Sequence, residues 1–154
     1  HGLIIPKRRA VGLTPLVTKA SAGAIEHLAI AKVSNIASTV EAMQGLGADP
    51  RRILAVVGPC ISQASYEVGT DYQARFERDA PGSSRFFAEG PSEDKRLFDL
   101  PAFCLWRLEQ AGVSEAAWTG HDTRTDEALF YSNRRAYLGG EPDFGRLISA
   151  ITLT

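Results

Sequence analysis

The apolar run Ile53-Leu-Ala-Val-Val57 stops at Gly58-Pro59, and this feature constrains the fold most strongly. A short continuous apolar run is the pattern of a buried strand. A Gly-Pro pair directly after it reads as the turn that leaves the strand. The next stretch, Cys60-Ile-Ser-Gln-Ala-Ser-Tyr-Glu-Val-Gly69, has the mixed composition of an ordered loop. A helical pattern begins near Thr70 and runs to Arg78, with Tyr72 and Phe76 on one face. Strand, ordered loop and helix in that order place the chain in the α/β class.

The rest of the chain extends this reading. Val33, Ile36, Ala37, Val40 and Met43 fall at helical spacing, so a helix is predicted over Val33–Leu46. Ser34 or Asn35 would cap it, and Gly45 and Gly47 would stop it. Asp99 is a natural cap for a helix over Leu100–Gln110, with Pro101 tolerated in its first turn and Ala111-Gly112 at its end. Strands are predicted at Ile53–Val57, Glu115–Thr119, Leu129–Ser132 and Leu147–Leu153. Residues 80–96 contain Pro81, Gly82, Gly90 and Pro91 and read as a surface excursion. Residues 1–32 show no clear period, although Val17-Thr18-Lys19 resembles a strand end. The predicted architecture is α/β, a layered sheet covered by helices. A length of 154 residues suits a single domain over 1–154.

Composition excludes several classes of function. The net charge is -1 and the basic residues form no stripe, so no nucleic-acid partner is expected. No apolar run approaches the roughly 18 residues of a membrane span, so no membrane partner is expected. Lys7, Arg8 and Arg9 follow the short apolar Leu3-Ile-Ile5, which is the wrong order for a signal peptide. Two cysteines are too few for a disulfide framework and point to reduced thiols in the cytoplasm.

The loop Val57-Gly-Pro-Cys-Ile-Ser-Gln-Ala-Ser-Tyr-Glu-Val-Gly69 resembles that of the laccase-domain (YfiH-like) family. These proteins were first called multicopper polyphenol oxidoreductases and were later assigned purine nucleoside phosphorylase activity. Thr39-Val-Glu-Ala-Met43, Asp99-Leu-Pro101, Asp122-Thr123, Phe130-Tyr-Ser-Asn-Arg-Arg135 and Glu141-Pro-Asp-Phe-Gly-Arg146 carry the same resemblance. It is nearly continuous over 33–153 and poor over 1–32, so the N-terminal part is incomplete relative to the family. The resemblance implies a layered α/β fold and a metal site of two histidines and one cysteine, usually zinc. It implies phosphorolysis of adenosine or inosine, with adenosine deamination as a companion activity. The expected partners are therefore a purine nucleoside and phosphate, and the expected state is a monomer or homodimer. A degenerate member that binds a nucleoside or a partner protein is one alternative reading. A copper-dependent polyphenol oxidoreductase is another, but three histidines and two cysteines cannot build a multicopper cluster.

The candidate site residues follow from this. His1 and His27 stand where the resemblance places metal ligands with a catalytic role, and the family cysteine has no counterpart between them. Three protein ligands around zinc leave a fourth position open for reaction. His1 reads equally as a terminal residue, and His27 as a partly exposed histidine. Arg134 and Arg135 offer guanidinium donors for phosphate or structural ion pairs. On a strand they would point to opposite faces. Tyr66 and Phe130 present π faces to a purine, although Phe130 fits core packing better. His121 reads as a surface turn, Cys60 and Cys104 as packed thiols, and Arg146 as either a phosphate contact or a sheet cap.

Overall fold

Phe98 is fully buried, and the larger part of the molecule is organised around it. Its ring stacks on Phe87 with centroids 4.5 Å apart and meets Phe76 edge-on at 4.9 Å. Phe103 closes the cluster 5.6 Å from Phe98. Offset and edge-to-face pairs of this kind add to the area that each ring buries.

The computed structural model describes residues 2–6, 29–33 and 36–145. They belong to two compact units, one drawn from 1–48 with 145–154 and the other from 49–144. In the first unit, β1 (Gly2–Pro6) pairs in parallel with β2 (Ala29–Val33), and α1 (Ile36–Gly45) follows. The helix predicted over Val33–Leu46 is therefore present but shorter, because Val33 pairs with Pro6 in the β-ladder. Val40 is buried, whereas Leu46 lies past the helix end and is 88% exposed. The candidate cap residues Ser34 and Asn35, the candidate strand end at Val17 and the terminal strand Leu147–Leu153 lie outside the described residues.

In the second unit, β3 (Leu54–Val57) pairs in parallel with β7 (Glu115–Trp118). A separate antiparallel sheet has the order β4 (Glu67–Gly69), β6 (Lys95–Phe98), β5 (Phe87–Glu89). Helix α2 (Thr70–Asp79) leaves β4 and brings Tyr72 and Phe76 to the aromatic cluster, as their spacing predicts. Helix α3 (Leu100–Gln110) spans its predicted range. The Asp99 side chain accepts the Ala102 N–H at 3.0 Å, and Pro101 sits in the first turn. Helix α4 (Asn133–Gly139) ends at Gly140, whose φ of 70° suits the left-handed C-cap.

Three expectations need correction. Residues 80–96 are not a plain surface excursion: they hold a one-turn 3-10 helix, Ser83–Phe86, then β5 and the start of β6. Phe86 and Phe87 join the aromatic core, and that burial overrides the loop composition. The hairpin also closes tightly at Gly90, where a Cβ would lie 2.5 Å from the Lys95 backbone. Leu129–Ser132 is not a strand. Leu129 and Phe130 donate to the Asp126 carbonyl in a turn, and Ser132 is the N-cap of α4. Arg134 and Arg135 therefore lie on a helix and do not alternate across a strand. Finally, β3 forms where the apolar run predicts it but is not buried, with Leu54 71% and Val56 62% exposed.

Candidate functional site

The loop after β3 turns through a single 3-10 turn, Gln63–Ser65, and delivers Tyr66 to the aromatic core. The Tyr66 carbonyl accepts the Phe98 N–H at 2.9 Å, which fixes the backbone there. Its ring packs 5.8 Å from Phe98 and 6.3 Å from Tyr72, and the two phenol oxygens lie 3.4 Å apart. The outer side of the ring faces the guanidinium of Arg134, 5.5 Å from the centroid. This cation–π contact lies at the rim of an open cleft of about 520 Å³. Lys95, Asn133 and Tyr137 also line the cleft, together with the carboxylates Glu67 and Asp71. Lys95 pairs with Glu67 at 3.5 Å. With Tyr72, the cleft thus combines three tyrosines, an amide, a guanidinium, an ammonium and two carboxylates.

Arg135 has a different task. Its Nη1 donates to the carbonyls of Thr123 at 2.9 Å and Arg124 at 2.8 Å, and its Nη2 donates to Phe130 at 2.6 Å. These bonds tie the 123–130 loop to α4, and the loop in turn holds Phe130 5.3 Å from the His121 ring. The Ser132 hydroxyl accepts the Arg135 N–H at 3.3 Å and caps the same helix. Arg135 also borders a second open cleft, on the side of Ser65 and Arg124. One arginine of the pair therefore meets the Tyr66 cleft while its neighbour braces the support.

Beneath the loop lies a polar node that the sequence reading did not single out. The hydroxyls of Ser62 and Ser65 donate to Asp122 Oδ2 at 2.5 and 2.6 Å, and the Arg124 N–H donates to Oδ1 at 2.8 Å. Burial opposes the Asp122 charge, but these donors outweigh it and hold the carboxyl below the usual range. Cys60 and Asp122 form a lone parallel bridge beside this node. Burial pushes the Cys60 thiol up to about 12, helped by Cys104, Asp122 and Asp99 and opposed by the Trp118 N–H. Cys60 is thus a neutral thiol near pH 7 and not a ready nucleophile. Cys104, in α3, is also raised by burial, which fits the packing role. His121 is about half exposed, with Nδ1 3.3 Å from Asp126 Oδ2, as a surface turn implies.

The structure brings together Tyr66 and Arg134 but does not test the proposed ligands. His1, His27 and Arg146 lie outside the described residues. Among the described residues, no three His, Cys, Asp or Glu side chains gather in a metal-holding group. Of the residues that matter, Ser62, Ser65 and Asp122 were hard to find because they are far apart in sequence. The family-like loop Val57–Gly69 and the Asp122-Thr123 pair carry a signal, but nothing local joins them.

Comparison with known proteins gives three results. A family model described as multi-copper polyphenol oxidoreductase laccase matches residues 30–154. A purine nucleoside phosphorylase of Rickettsia conorii is 36% identical over 103 residues, covering 67% of this chain and 43% of that protein. A second, from Rickettsia prowazekii, is 35% identical over the same length. Among solved structures, a Neisseria meningitidis protein of family DUF152 aligns with a TM-score of 0.57 and 29% identity, over 68% of this chain and 44% of that one. Bacillus licheniformis hypothetical protein YfiH aligns with a TM-score of 0.58 and 26% identity, over 66% and 39%. The chain thus spans less than half the length of these relatives. A different kinship covers a shorter stretch. A putative TrmH family tRNA/rRNA methyltransferase of Bacillus subtilis is 62% identical over 47 residues, 30% of this chain and 19% of that protein.

Proposed function

Because this chain belongs to the multi-copper polyphenol oxidoreductase laccase family, we propose that it takes part in purine nucleoside phosphorolysis, not phenol oxidation. The observation that carries the reading is the Arg134 guanidinium over the Tyr66 ring in an open cleft. Phosphorylase-named relatives support the choice of substrate class. In phosphorolysis a phosphate oxygen attacks C1′ of the ribose and the C1′–N9 bond breaks. The bonding pair leaves with the purine, which takes up a proton, and ribose 1-phosphate is released. Arg134 would hold the phosphate by paired N–H donors and stabilise its charge near the sugar. The Tyr66 ring would stack the purine, with the Asn133 amide at its edge. Adenosine and inosine are the proposed nucleosides. Zinc held by His1 and His27 is the proposed cofactor, and it would supply an open coordination position for an oxygen nucleophile. Among the described residues, no helix is long and apolar enough to cross a membrane. A cytoplasmic setting is proposed from the cysteine usage alone.

The test is phosphate-dependent release of hypoxanthine from inosine by the intact chain. Arg134→Ala should raise the KM for phosphate by an amount worth about 1.5–3 kcal/mol, the value of one charged hydrogen bond. Arg134→Lys should recover part of it, because the charge returns without the fork. Cleavage that is independent of phosphate, or that is unchanged in Arg134→Ala, would defeat the reading.

A second reading concerns the other unit. The 47-residue match to an RNA methyltransferase is close in length to residues 1–48 of the first unit. The 103-residue phosphorylase match is close to the remainder. We infer that the chain joins segments of two kinships near residue 48. Lys7-Arg8-Arg9 then becomes a candidate RNA contact. Salt-sensitive binding of tRNA, lost on replacing all three by Ala, would support this, and salt-independent or absent binding would remove it.

A further inference from the structure

Two open clefts meet at Leu138 of α4, and they differ in charge. The Tyr66 cleft is lined by Lys95 and Arg134 but also by Glu67 and Asp71, so its formal charges cancel. The second cleft, of about 630 Å³, is lined by Ser65, Arg124, Thr125 and Arg135, with Leu138 as an apolar wall. Among the described residues no carboxylate lines it. Two guanidinium-bearing side chains thus share one space that holds no acidic group.

Arg124 is the informative residue. It is half-buried, yet among the described residues its guanidinium has neither a hydrogen bond nor an ion pair. A charge held partly out of water is normally paired. Its backbone, by contrast, is fixed on both sides. The Arg124 N–H donates to Asp122 Oδ1 at 2.8 Å, and the Arg124 carbonyl accepts Arg135 Nη1 at 2.8 Å. The Thr125 hydroxyl is likewise without a partner among the described residues. Arg135 gives three of its N–H donors to carbonyls, which leaves one on Nη2 and the one on Nε. Nearby carboxylates do not cancel this charge. Glu127 is 4.0 Å from Arg135 Nε and 79% exposed, so it pairs weakly. Asp122 is taken up by Ser62, Ser65 and the Arg124 N–H, and Asp126 faces His121.

We propose that Arg124, Thr125 and Arg135 form a binding site for a phosphate group, separate from the Tyr66 cleft. The Arg124 fork takes two phosphate oxygens, the Thr125 hydroxyl donates to a third, and Arg135 adds positive charge from a fixed position. A backbone that is ordered before binding lowers the cost of holding the anion. Leu138, 61% exposed, offers an apolar wall to the organic body of a phosphate monoester. The site stands on its own residues and does not depend on the phosphorolysis reading.

The experiment titrates the intact, nitrogen-15-labelled chain at constant ionic strength with inorganic phosphate and, separately, with ribose 5-phosphate. The amide resonances of Thr125 and Gly139 report the site. Both should shift saturably. Arg124→Gln should raise the midpoint by about tenfold or more, the effect of losing a charge-assisted fork, and Arg124→Lys should raise it less. Neither change touches the backbone bonds of residue 124, so resonances of the Phe98 cluster should stay in place. Arg134→Ala should leave the Thr125 midpoint unchanged, which separates this site from the phosphate contact proposed for Arg134. Tighter binding of ribose 5-phosphate would identify a monoester as the ligand, and equal midpoints would identify free phosphate. Three results would overturn the proposal: no saturable shift with either ligand, a midpoint indifferent to Arg124→Gln, or a Thr125 response that disappears in Arg134→Ala.

Discussion

Cys60 shows how little residue type alone says about reactivity. A cysteine after a Gly-Pro turn invites a nucleophilic reading. Here burial and the neighbouring Cys104, Asp122 and Asp99 keep the thiol neutral, with its pKa pushed up to about 12. The folded value lies above the unfolded one, so the contribution to stability is fully present below about pH 9 and is lost as the pH rises toward 12. Alanine at position 60 does not titrate. The expected outcome is that the intact chain loses stability between those values more steeply than Cys60→Ala, as measured by urea unfolding at a series of pH values. Parallel curves for the two proteins would refute the assignment. Arg134 and Arg135 make the same point by contrast. They are adjacent and identical, yet one meets an aromatic face and the other is consumed by three backbone carbonyls.

At the scale of elements, α4 is the piece whose placement decides the candidate site. It is short, seven residues, and a helix of that length is not stable alone. Ser132 caps it, Gly140 ends it, and Arg135 ties it to the 123–130 loop. Arg135→Ala leaves three part-buried carbonyls without their donor. A loss of about 2–4 kcal/mol is expected, with little recovery in Arg135→Lys, because an ammonium cannot reproduce the fork. Chemical denaturation of the three proteins measures this directly. Equal stability of the lysine and wild-type proteins would show that charge alone suffices. The turn just before the helix, 129–132, resembles a strand in the sequence because Leu129-Phe-Tyr131 carries an apolar and aromatic signal that strands and turns share. The capping serine was the local clue, since a serine followed by helix-forming residues marks a start.

At the scale of the molecule, the chain divides into two compact units, 1–48 with 145–154 and 49–144. The second unit has its own aromatic core around Phe98, with its own sheet and helices. A chain beginning at Asp49 should therefore keep the near-UV circular dichroism of the aromatic cluster and unfold cooperatively. Loss of that signal in the shortened chain would mean that residues 1–48 complete the core.

The sequence by itself determined the α/β class, helix α3 to the residue, helix α2 to within one residue, and the positions of β3 and β7. Local rules were enough for these: caps, breakers and apolar spacing act over a few residues. It also carried the family, through the loop after β3 and the Arg134-Arg135 segment. The tertiary structure alone decided that Phe86 and Phe87 leave a Gly- and Pro-rich excursion to build the core. It likewise decided that Ser62 and Ser65 converge on Asp122. Those contacts join residues tens of positions apart, and no local period encodes which distant partner a side chain meets. The same holds for the exposure of Leu54 and Val56: the run predicts a strand, but whether a strand is buried depends on what else packs on it.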